Sequence, residues 1–162
     1  PQTKILICGK APGKKVQDTE NMVNDQSGDR LRAWMGISRN SFYNSGNIAG
    51  IPIDFYYPGK AKSGDVPPRK EVAEKWHQKM LDIMPNIQLT LLIGSYAQKH
   101  YLNVPRSTTT TSLVQNYRNF LPEYFPLVHP SPRNNIWLAK NPWFEQEVVP
   151  ELQKIVQNIL KK

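Results

Sequence analysis

The sequence predicts an open α/β fold on a central, mostly parallel, four-stranded sheet. Three observations predict it. Four short apolar runs are spread along the chain, and their near-continuous apolar character suits strands buried on both faces. Helical patterns lie between the runs, and strands alternating with helices argue for a parallel sheet. Polar loops carrying glycine, proline and charge follow the runs, where an open sheet binds its ligands.

The elements follow in chain order. Lys4 to Cys8 (KILIC) is the first strand. Asp29 to Met35 is a helix with Leu31, Trp34 and Met35 on one face. Ala49 to Phe55 is a weaker second strand, interrupted by Pro52. Arg69 to Met84 repeats Val72, Trp76, Met80 and Met84, an amphipathic helix with Pro67 and Pro68 just ahead of it. Leu89 to Ile93 (LTLLI) is the third strand, and Tyr96 to Leu102 a short helix after it. Ser107 to Ser112 (STTTTS) reads as a mobile low-complexity turn. Phe125 to Val128 (FPLV) is the fourth strand. The C-terminal stretch repeats Val148, Leu152, Ile155 and Ile159, with a helix start or kink near Pro150.

Composition narrows the function classes. At 162 residues the chain is read as one domain, 1–162, with a sizeable core. The first residue is Pro1, so the chain is read as lacking an N-terminal segment. No basic region followed by an apolar one precedes the first strand, so no signal peptide is expected. No run approaches the roughly 18 apolar residues of a membrane span, so no membrane partner is expected. The single cysteine, Cys8, excludes an internal disulfide and a cysteine-ligated metal or iron–sulfur site. It sits in an apolar run and reads as a core filler. A cytoplasmic location and a monomer are the expectations. The net charge of +8 favours a polyanion such as nucleic acid.

Two motifs carry chemistry. Gly9-Lys10-Ala11-Pro12-Gly13 directly follows the first strand. Glycines flanking a proline give a tight turn that exposes backbone N–H groups. It is not a Walker loop, which needs four residues between its glycines and Ser or Thr after the lysine. Here three residues separate the glycines, and Lys15 follows Lys14. The bland alternative is a generic strand-to-helix turn. The second motif, His129-Pro130-Ser131-Pro132-Arg133-Asn134, follows the fourth strand. A histidine there is placed to donate a hydrogen bond into a cleft. The prolines stiffen the loop, and Ser131, Arg133 and Asn134 suit phosphate contacts. The bland alternative is a satisfied core histidine before a proline-rich turn.

In this order and separation, the two motifs resemble the uracil-DNA glycosylase superfamily. HPSPRN is similar to the loop of the single-strand-selective enzymes, and GKAPG to the GEAPG of the iron–sulfur family. YPGKAKSGDVPPRKEVAEKWH, LTLLIGSYAQKHYL and NPWFEQEVVPELQKIVQNIL extend the resemblance over essentially the whole chain, toward a bacterial subgroup. It implies a three-layer α/β/α fold and a DNA glycosylase that extrudes a uracil or another deaminated base and hydrolyses its N-glycosidic bond. No metal or organic cofactor is implied. The resemblance gives His129 the role of stabilising the leaving base. It makes Gly9, Lys10, Ala11, Pro12 and Gly13 part of the base pocket. Ser131, Pro132, Arg133 and Asn134 would contact the DNA backbone and wedge into the helix, and Lys60, Lys62 and Arg69 would add phosphate attraction.

The sequence departs from the family pattern at chemically important places. Lys10 replaces the glutamate of the iron–sulfur family, and Ala11 the aspartate or asparagine of others. A protonated lysine is no base. Asp18 and Asp25 are the substitutes for activating water; each also reads as an ordinary exposed or helix-capping aspartate. The aromatic that stacks on the base is absent from Met22-Val23-Asn24, leaving Val23 or Met22 as an apolar contact. No uracil-reading asparagine stands near the second strand. Asp54 is the one ionisable group in that apolar run, either facing the pocket or held by backbone donors, and Phe55, Tyr56 and Tyr57 either stack on the base or form a core aromatic cluster. Two other readings stay open: a superfamily member that binds nucleic acid with weak or no catalysis, and an enzyme acting on free nucleotides or nucleosides.

Overall fold

The computed structural model describes residues 2–9, 26–51 and 70–161, the side chains of 70–74 excepted. Its four strands are β1 (Ile5–Cys8), β2 (Ile48–Gly50), β3 (Leu89–Ile93) and β4 (Tyr124–Leu127). They form one sheet in the order β2-β1-β3-β4, and every neighbouring pair is parallel. Ile7 lies opposite Gly50 on one side and Leu91 on the other, and Leu91 opposite Phe125. All residues of β1 and β3 are buried, as central strands covered on both faces must be.

Alternation along the strands divides the core. Ile5, Ile7, Leu89, Leu91, Ile93, Phe125 and Leu127 line one face. Against it pack α1 (Gln26–Met35), α2 (Arg39–Asn44), α6 (Asn135–Lys140) and α7 (Val149–Lys161). Leu6, Cys8 and Leu92 line the other face. Against that pack α3 (Lys70–Asp82) through Met80 and Leu81, and α4 (Gly94–Tyr101) through Ala97. α5 (Thr110–Gln115) sends Val114 to the first cluster and Leu113 to the second, so it covers the β4 edge. The result is the expected three-layer α/β/α arrangement. Fully buried side chains such as Phe42, Phe125 and Phe144 each contribute about 1.5–3 kcal/mol from water exclusion. Cys8 is buried as a core filler, and burial pushes its thiol pKa up to about 12.

The first helix shows how sequence sets an end. Gly36 adopts φ +71, where a side chain would be strained. The N–H of Ile37 then reaches the carbonyl of Arg32, and that of Gly36 reaches Ala33. These two bonds satisfy carbonyls that the helix end leaves without partners. Leu31, Trp34 and Met35 form the buried face, as the spacing predicts. Asp29 lies in the first turn and pairs with the buried guanidinium of Arg32, which also donates to Tyr43 Oη at 3.2 Å. That pairing compensates a charge whose burial alone would be costly.

Three expectations are corrected. The second strand begins at Ile48 rather than Ala49 and is described over Ile48–Gly50. Its pairing extends through the Ile51 N–H, which donates to Ile7 O at 2.9 Å; residues 52–55 lie outside the described residues. The run from Ser107 to Ser112 is not merely a turn. Thr109 accepts from the Ser112 N–H at 3.1 Å and caps α5, the role threonine fills well at a helix start. On α3 the predicted stripe keeps Met80 and Met84 at the core but not Trp76. Trp76 is 42% exposed, whereas His77 is 2% exposed and its Nδ1 lies 2.5 Å from Tyr101 Oη. A phenol partner on α4 meets the polar requirement of the ring, so the helix turns His77 inward.

At the C-terminus a π-helical turn (Phe144–Val148) precedes α7. The Val149 N–H closes it on Phe144 O, one residue before Pro150, which has no N–H to give. Among the described residues, no helix is long and apolar enough to cross a membrane.

Candidate functional site

Because all four strands are parallel, their carboxyl ends lie on one edge of the sheet. The chain passes from β1 to β2 on one side, whereas β3 lies on the other. That reversal makes the ends of β1 and β3 the crevice where such sheets bind ligands. Gly9 follows β1, and Gly94 follows β3 at φ +82. A Cβ built on either glycine meets no described atom within 4 Å. The third wall is the loop after β4. Two strand spacings of roughly 4.8 Å separate the β1 and β4 ends.

The loop after β4 is held by its own hydrogen bonds. The Ser131 N–H donates to His129 Nδ1 at 3.1 Å. An Nδ1 that accepts cannot carry a proton, so in the neutral ring the proton sits on Nε2. Asn134 Nδ2 donates to the His129 carbonyl at 2.7 Å, and the Asn134 N–H to the Ser131 carbonyl at 2.9 Å. The Arg133 N–H donates to Ser131 Oγ at 3.2 Å. Pro132 opens a 3-10 turn (Pro132–Asn134) that runs into α6. Its fixed φ and missing N–H suit that first position. Pro130 is buried, while His129, Pro132 and Arg133 are exposed. The loop therefore presents a ring of set tautomer and a guanidinium to solvent.

Two braces come from elsewhere in the chain. Arg30 on α1 reaches the Ser131 carbonyl at 3.5 Å, which brings the start of α1 to the histidine loop. Gln98 on α4 is fully buried. Its Nε2 donates to Leu92 O at 3.1 Å and Leu127 O at 2.9 Å, and its Oε1 accepts from Thr110 Oγ1 at 3.1 Å. Every polar atom of that amide is engaged, and the amide ties the ends of β3 and β4 together two residues before His129. α6 is fixed in turn by Trp137 Nε1, which donates to Thr111 Oγ1 at 2.9 Å.

The structure thus brings His129, Ser131, Pro132, Arg133 and Asn134 into one loop, on the same edge as Gly9. Lys10, Ala11, Pro12, Gly13, Asp18, Val23, Asp25, Asp54, Phe55, Lys60, Lys62 and Arg69 lie outside the described residues. Sequence reasoning missed Arg30 and Gln98. Arg30 has another arginine, Arg32, two positions away, and nothing in the sequence separates their roles. Gln98 carries one weak signal, an amide beside Ala97 on a short helix that follows a buried strand. A cavity of about 280 Å³ is lined by Gln115, Tyr117, Arg118, Trp143, Glu147 and Val148. None of these belongs to the histidine loop, so the cavity is not the crevice. The family model described as Uracil DNA glycosylase superfamily matches residues 1–153.

Proposed function

The chain belongs to the uracil DNA glycosylase superfamily, and on that premise we propose that it excises uracil or another deaminated base from DNA by hydrolysis of the N-glycosidic bond. The observation that carries the proposal is the braced His129, whose Nδ1 accepts from the Ser131 N–H. In the reaction the bond between C1′ and the base nitrogen breaks. The bonding pair leaves with the base, as negative charge spread over its ring. Water oxygen then bonds to C1′ and loses a proton. A neutral imidazole with its proton on Nε2 can donate to the carbonyl oxygen where charge develops. A donor fixed before the reaction needs no reorganisation during it, which is how oxyanion-type sites lower a barrier.

The remaining roles follow the same logic. Arg133 and Asn134, on a stiff turn beside the donor, hold DNA by its phosphates. Asp18 or Asp25 orients the water, because Lys10 and Ala11 stand where acidic or amide groups serve in relatives of the family. Asp54 and Phe55 contact the base. Those two substitutions, Lys10 and Ala11, favour a second reading: a member that binds nucleic acid and cuts weakly or not at all.

A cleavage assay separates the two. Oligonucleotides carrying uracil, hypoxanthine or xanthine, in single and double strands, are treated with the protein and then with alkali. Strand breaks at one of these bases are expected. Tight DNA binding with no breaks at any of them selects the binding-module reading. Arg133→Ala is expected to weaken DNA binding at every sequence and to reduce the salt dependence by about one phosphate contact. An unchanged affinity would remove this loop from the DNA interface.

A further inference from the structure

α3 and α4 lie side by side on the sheet face opposite α1 and α7, and each exposes an aromatic residue with a lysine three positions later. On α3 these are Trp76 and Lys79; on α4 they are Tyr96 and Lys99. Trp76 and Tyr96 are each 42% exposed. Lys75 Nζ and Lys79 Nζ lie 5.1 and 4.9 Å from the centroid of the Trp76 ring. Tyr96, Lys99 and His100 are all exposed and share one helical stripe. The two helices touch where His77 and His100 stack edge to face, with ring centroids 5.3 Å apart. Among the described side chains of the two helices Asp82 is the one carboxylate, and Gln78 Nε2 donates to it at 2.9 Å.

The placement of Trp76 is informative because the neighbouring polar ring, His77, takes the buried position. The largest apolar side chain of α3 is therefore held in solvent, capped by two cations. An indole face is a stacking platform for any base, and flanking lysines follow a phosphate backbone. We propose that this α3–α4 face is a second binding site for single-stranded DNA, separate from the crevice at the strand ends. A base displaces one lysine from the Trp76 ring and stacks there. The displaced ammonium then meets the adjacent phosphate, while Lys99 extends the track onto α4. The net charge of +8 supports the same polyanionic partner. This site does not rest on the cleavage reading, since stacking requires no damaged base.

The test uses an undamaged single-stranded DNA of about 20 nucleotides, a length that spans a strand-tracking site, followed by fluorescence anisotropy. Trp76→Ala is expected to weaken binding about tenfold, and Trp76→Phe to restore most of it. Lys75→Gln combined with Lys79→Gln is expected to lower the slope of log affinity against log salt by about 1.4. An unaltered melting curve shows that each variant is folded, which half-exposed positions favour. Unchanged affinity in Trp76→Ala, or an unchanged salt slope in the double variant, overturns the proposal. So does tight binding of RNA with none of DNA. Turnover of a substrate just long enough to fill the crevice should be the same in Trp76→Ala and the parent. If the parent cuts nothing, the loss of strand binding in Trp76→Ala still stands as the readout of this site.

Discussion

Replacing His129 with alanine is expected to lower excision of the preferred base by about 10²–10³-fold, the usual effect of removing one preorganised donor. DNA affinity should stay within about twofold, because the phosphate contacts reside in Arg133, Asn134 and the basic side chains. The reasoning starts at Ser131. Its N–H occupies Nδ1 of His129 at 3.1 Å, so the ring offers an N–H at Nε2 while neutral. Glutamine keeps a donor but loses the brace, so His129→Gln should fall between alanine and the parent. The measurement is single-turnover cleavage at saturating enzyme, which isolates the chemical step from binding. A cleavage rate unchanged in the alanine variant would remove His129 from the mechanism and leave the loop a purely binding role.

The fold was legible in the sequence because its strands are buried on both faces. KILIC, LTLLI and FPLV have few polar interruptions, and each became a strand within a residue of its expected limits. In the second run the strand starts one residue early, at Ile48, and pairing is carried on past Gly50 by the Ile51 N–H. Helix faces were legible where apolar groups set them, as at Leu31, Trp34 and Met35. On α3 they were legible at Met80 and Met84 but not at Trp76. Periodicity assigns Trp76 to the core because it weighs hydrophobicity alone. The tyrosine that makes a buried His77 acceptable lies 24 residues further on, where no local pattern can register it.

The candidate site divides in the same way. The histidine loop was legible because its chemistry is local: His129, Ser131, Arg133 and Asn134 bond to one another within five residues. The braces were not, because Arg30 lies 101 residues from Ser131, and Gln98 lies 29 from Leu127. Such partners are set by the sheet order, which places β3 between β1 and β4. The helix that starts within the threonine run is hidden for a related reason. Thr109 caps a helix whose need for a cap follows from where α5 covers the β4 edge.

Gln98 gives the second large effect. Gln98→Leu preserves volume closely and removes every polar atom of a fully buried amide. The carbonyls of Leu92 and Leu127 then lose a donor, and Thr110 Oγ1 loses its acceptor. A buried polar group left without a partner costs about 1–3 kcal/mol, and strand pairing satisfies part of what the carbonyls need. A net loss of about 2–4 kcal/mol is therefore expected, read as a lower denaturation midpoint at unchanged m-value. Gln98→Glu should be as damaging, since a carboxylate would face two carbonyl oxygens with no hydrogen to share. The amide also sets the end of β4 two residues before His129, so the effect should reach the site. Under conditions where Gln98→Leu is still folded, turnover should fall while the affinity for undamaged DNA holds. A variant as stable as the parent would show that strand pairing alone fixes the β3 and β4 ends. A variant destabilised but fully active would confine Gln98 to folding and leave the positioning of His129 to Ser131, Asn134 and Arg30.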